Sequence, residues 1–104
     1  MSHHDPFVRA VERLFARLGQ SAVHCDTSGA ERPVLVISRQ PDVVGAFGDT
    51  RLVMSTTRFD LRVAEVATPS DGDTLIVAGQ SYRIQGAPVR DRDGLLWTVQ
   101  AYLV

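Results

Sequence analysis

The residue period of this chain changes once, at Gly19, and that change fixes its class. Before it, Phe7, Val11, Leu14, Phe15 and Leu18 recur at spacings of four, three, one and three, which sets them on one stripe of an α-helix. Asp5 followed by Pro6 is an N-cap and a first-turn proline, whose missing N–H costs nothing there and whose φ is already helical. Gly19 supplies the stop. The pattern predicts a helix beginning at Pro6 behind a short polar leader, Met1 to His4, and the stripe implies full burial of Leu14.

After Gly19 the apolar residues alternate and turn formers come at short intervals, as in an antiparallel β domain. Ser21 to Asp26 and Pro33 to Arg39 read as two strands joined around Ser28-Gly29, the second apolar enough for burial on both faces. Phe59, Leu61 and Val63 alternate with Asp60, Arg62 and Ala64, a half-buried strand. Leu75 to Ala78 reverses at Gly79 into a strand carrying Tyr82 and Ile84. Asp91-Arg92-Asp93-Gly94 closes a last hairpin, whose final strand puts Leu95, Trp97, Val99, Ala101 and Leu103 on one face. The expected fold is mainly β with one N-terminal α-helix, a twisted antiparallel sheet or small barrel of about six strands covered by the helix. At 104 residues this is a single domain, 1–104, with leader and helix at 1–19 and the β domain at 20–104.

One segment fits neither period. Residues 41–50 hold Pro41, Gly45 and Gly48 but also Val43, Val44 and Phe47, too broken for a regular element and too apolar for a solvated linker. It reads as a functional loop.

The charge balance narrows the function. A formal net charge of -1 makes no broad positive field for nucleic acid or anionic lipid. The longest apolar runs fall far short of the roughly 20 residues that span a bilayer. A single cysteine, Cys25, cannot form an internal disulfide, and no secretory leader precedes the helix, so the chain is expected to be cytoplasmic at synthesis. All 11 basic residues are arginine, which excludes Schiff-base and P-loop lysine chemistry.

The candidate chemical groups each have a plainer structural reading. His3, His4 and Asp5 could ligate a metal, but nothing fixes them in place. His24 and Cys25 are neighbours in a strand and point to opposite faces, so they make no catalytic pair, and Cys25 reads as a buried structural thiol. Asp71, Asp73, Asp91 and Asp93 sit beside turn glycines, where backbone geometry selects aspartate. They carry the alternative function, a small β-barrel that binds a ligand or hydrolyses a substrate with carboxylates near its C-terminal hairpin turns. Tyr82 and Trp97 fall in apolar registers and face the core. Arg9, Arg13 and Arg17 lie at helical spacing on one edge, a solvated or partner-contacting stripe. No catalytic residue, metal site or cofactor is expected.

From Phe59 onward the order of parts is an alternating strand to Val66, Pro69, then Gly72-Asp73-Thr74-Leu75-Ile76-Val77, Gly79, Tyr82-Arg83-Ile84, Asp91, Gly94 and Leu96-Trp97. This resembles the C-terminal half of tailed-phage head-tail joining proteins, the lambda-type head completion or attachment family, and the helix, hairpin and long mid-chain loop before it follow the same order. The resemblance implies a phage or prophage structural protein joining the DNA-filled head to the tail. It implies neck or portal-side proteins on one side, tail terminator or tail-tube proteins on the other, a homo-oligomeric ring, and a path from host cytoplasm to virion neck. It implies no enzyme activity, no membrane and no sequence-specific nucleic acid. Val43, Val44 and Phe47 in the loop and Arg9, Arg13 and Arg17 on the helix are the expected interface residues.

Overall fold

The computed structural model describes residues 6–39 and 56–104. The chain runs α1 (Pro6–Leu18), β1 (Gln20–Cys25), β2 (Glu31–Arg39), β3 (Thr56–Arg62), β4 (Thr74–Val77), β5 (Gln80–Ile84), β6 (Val89–Arg90) and β7 (Leu96–Leu103). Gly19 is the whole connection between helix and barrel. Its N–H donates to the Phe15 carbonyl at 2.9 Å, and a Cβ there would lie 2.5 Å from that same oxygen, so a residue with a side chain could not make this turn unchanged.

Every ladder is antiparallel. β2 pairs with β1 and β3, β3 with β7, β7 with β5, β5 with β4, and β4 returns to β1. That return closes a six-stranded barrel, with β6 as a two-residue addition on β7 through Val89↔Thr98 and Arg90↔Trp97. Of the two architectures open to the sequence, sheet or barrel, the chain adopts the barrel. Closure leaves no free sheet edge along the six strands, which removes the main route to edge-to-edge aggregation.

Alternation sets the interior. Ala22, Val34, Val36, Phe59, Leu61, Leu75, Val77, Ile84, Val99 and Ala101 form one buried cluster with Val66 of the β3–β4 connection, and Tyr82 and Trp97 pack against it. Phe59 and Tyr82 meet edge to face, their centroids 5.1 Å apart. The barrel is filled by its own side chains.

The helix lies on the outer wall, and here the stripe read from the sequence divides. Phe15 is 1% exposed and is the buried residue of α1, whereas Leu14 is 42% and Leu18 59% exposed. The expected burial of Leu14 is therefore corrected. A straight helix on a convex barrel touches it along a narrow line, so only part of a broad apolar stripe is covered. Cys25 also departs from expectation. It faces outward from β1 and is half-buried rather than buried. The interface candidates Val43, Val44 and Phe47 lie outside the described residues. Among the described residues no helix is long and apolar enough to cross a membrane.

Candidate protein-interaction surfaces

The register sorts the connections between the two ends of the barrel. The β1–β2 turn, the β3–β4 connection and the Asp91–Gly94 turn share one end, because Cys25 pairs with both Glu31 and Thr74 and Arg62 pairs with Leu96. The α1–β1 junction and the β4–β5 turn share the other.

At the first end the aspartates brace backbone. Asp26 Oδ1 accepts from Ser28 Oγ at 2.7 Å, Ser28 N at 2.9 Å and Ala30 N at 3.0 Å. These bonds, the Ser28 hydroxyl first, hold its carboxyl below the usual range. Asp91 Oδ1 takes the N–H groups of Leu95 at 2.8 Å and Leu96 at 3.0 Å, and the Leu96 bond leads in lowering its pKa. Asp71 Oδ1 accepts from Gly86 N at 2.7 Å. Of the four candidate aspartates, Asp71 and Asp91 are thus committed to separate pieces of main chain and Asp73 to a buried partner, and Asp26 braces the β1–β2 turn in the same way. This geometry gives a hydrolytic or ligand-binding site on these carboxylates no support.

That partner is His24. Its Nε2 lies 2.8 Å from Asp73 Oδ2, which also accepts from Ser70 N at 2.9 Å, and both residues are buried. The pair ties β1 to the turn that opens β4. Reading along the chain did not find it, since the partners are 49 residues apart. Cys25, the neighbour of His24, faces the other way, and burial, followed by the Glu31, Asp26 and Asp73 charges, raises its thiol pKa. A thiol kept protonated is a poor nucleophile.

Arg62 fastens the helix. Its Nη1 donates to Glu12 Oε1 at 2.6 Å and its Nη2 to Glu65 Oε1 at 2.9 Å, while the guanidinium carbon sits 5.2 Å from the Phe15 ring centroid. Glu65 Oε1 also accepts from Leu35 N at 3.0 Å, so the anchor reaches β2. With this side of α1 held down, the opposite side is left outward. Arg9, Arg13 and Arg17 are all exposed there, and Leu14 and Leu18 are exposed on the flank of the helix between those arginines and Phe15.

The family model of the phage head-tail attachment protein matches residues 4–101. The chain belongs to the phage head-tail attachment family. No individual curated protein matches it.

Membership makes the chain a phage structural protein of the head-tail joint, a virion component that works with phage head and tail parts. The arginines were legible as a helical edge. The exposed leucines were missed, because a stripe of five apolar residues reads as core until the curvature of its support is known.

Proposed function

We propose that the chain joins the DNA-filled head to the preassembled tail by surface contact alone, with the exposed flank of α1, Leu14 and Leu18 and the arginines next to them, as one contact face. The observation that carries this is the exposure of Leu14 and Leu18, 42% and 59%, beside Arg13 and Arg17. Apolar groups rimmed by arginine are the composition of a protein contact. Arg9 extends the same edge by one turn.

Identical subunits would form a ring in the neck, and head-to-tail contacts in a ring are heterologous, so each subunit presents two different patches. Val43, Val44 and Phe47 are kept as the second patch on their apolar chemistry. Portal-side neck proteins stand on one side of the ring and tail terminator or tail-tube proteins on the other. Assembly takes place in the bacterial host cytoplasm and ends in the virion neck.

The role is tested by deleting the gene from an inducible lysogen. Filled heads and complete tails should accumulate unjoined, and the purified chain added to that lysate should restore infectious particles. Normal particle yield from the deletion strain would refute the role.

A further inference from the structure

The outer wall opposite the barrel interior carries a second surface, across β3, β7 and β5. Because Phe59, Ile84 and Val99 point inward, their neighbours Arg58, Arg83, Gln85, Thr98 and Gln100 point outward. Register makes them adjacent: Arg58 pairs with Gln100 and Arg83 with Tyr102, and Gln85 N donates to Gln100 O at 2.8 Å. Over this floor the segment from Gln85 to Val89 raises a wall. Arg58, Gln85, Gly86, Ala87, Val89, Thr98 and Gln100 together line a cleft of about 470 Å³.

Among the described residues, the carboxylates next to the cleft are already engaged. Arg39, the register partner of Arg58, is bound through Nη2 to Asp60 Oδ2 at 3.1 Å, and Thr98 Oγ1 donates to Asp60 Oδ1 at 3.2 Å. Asp60, the carboxylate beside Arg58, is thereby taken up, and Asp71, whose Oδ1 accepts from Gly86 N at 2.7 Å, is engaged at the cleft wall. Neither Arg58 nor Arg83 has an acidic partner among the described residues, and the side-chain amides of Gln85 and Gln100 make no hydrogen bond among them. An Arg guanidinium offers a fork of donors shaped for a carboxylate, and primary amides pair with both groups of a peptide bond. Val89, 64% exposed, adds an apolar wall.

We propose that this cleft seats an extended acidic segment of a neighbouring virion protein, with one carboxylate on Arg58. The chemistry favours polypeptide over nucleic acid. Two amides and a valine wall suit a peptide backbone with an aliphatic side chain, whereas a phosphodiester track needs a row of cations. That the segment comes from a virion protein rests on the head-tail joining role. That it is acidic rests on the cleft alone.

The probe is a fluorescein-labelled decapeptide of alternating glutamate and valine, titrated into the folded chain with amide chemical shifts followed in parallel. Saturable binding is expected, with shifts at Arg58, Gln85, Gly86, Val89, Thr98 and Gln100. Arg58→Glu should weaken it at least tenfold and abolish head-tail joining, and Arg58→Lys should recover part of both. Arg58 faces outward, so an unchanged melting curve controls for folding in each variant. Absence of saturable binding, full joining by Arg58→Glu, or equal shifts with a 20-base-pair DNA duplex would each overturn the proposal. The same shifts on concentrating the chain without peptide would assign the face to a second copy, and overturn it too. Joining restored by the wild type but unaffected by Arg58→Glu would refute this cleft and leave the joining role standing.

Discussion

The Arg62 guanidinium caps the Phe15 ring at 5.2 Å and carries Glu12 on the same group at 2.6 Å, so one outward side chain of β3 holds the helix by both its apolar and its polar residues. Phe15→Ala removes the buried ring and leaves the cation without its face. The expected cost is about 3 kcal/mol or more, in the range for truncating a buried aromatic. Leu14→Ala, at a position 42% exposed, should cost less than about 1 kcal/mol. Urea unfolding of the two variants side by side reads the difference, and equal losses would show that the helix packs by its whole stripe.

The His24–Asp73 pair makes a second prediction. Asp73→Ala strands the buried His24 imidazole, which Asp73 Oδ2 now satisfies, at about 1–3 kcal/mol, and it releases the N–H of the exposed Ser70 to water. Hydrogen exchange should then quicken first in β4 and at the Ser70 amide, with the β3–β7 ladder still protected. Uniform acceleration across the barrel would show that the pair is not a local tie.

Acid should act through the turns. Asp26 and Asp91 are both held below the ordinary carboxylate value by hydrogen bonds that exist in the fold, so the unfolded chain takes up their protons at higher pH than the folded one. Their contribution is complete above the unfolded value, about 3.9, and is lost as pH falls through the lowered folded values. Asp91→Asn should therefore melt below the wild type at pH 7, and the gap should narrow below about pH 4 as the wild-type carboxyl is neutralised. A gap independent of pH would mean that the charge of Asp91 contributes nothing to the turn.

How far the sequence carried depends on whether local grammar or long-range packing decides each feature. The helix bounds, the strand order and the Asp/Gly turns are local, and Pro6, Gly19, Gly79 and Asp91 to Gly94 announced them. Barrel closure is not local. It depends on β4 finding β1, through Cys25↔Thr74 and Ala22↔Val77, and no property of either segment alone distinguishes that pairing from an open sheet. The same holds for Leu14 and His24. One was expected inside because the curvature of the wall is not written in the helix, and the other was passed over because its partner lies far along the chain. The basic cleft at Arg58 was hidden too, since Arg58, Gln85 and Gln100 become neighbours only through the β3–β7 and β7–β5 ladders.

The exposed flank of α1 at Leu14 and Leu18 is the proposed contact face of the head-tail joint. Leu14→Asp with Leu18→Asp places two charges on groups that are 42% and 59% exposed, so the barrel should fold and melt within a few degrees of the wild type. A contact that must desolvate those carboxylates should fail. The measurement is joining of filled heads to free tails by the purified double variant, scored as infectious particles against the wild type. A fall of at least tenfold with an unchanged fold is the predicted result. Wild-type joining by the stably folded double variant would contradict the account.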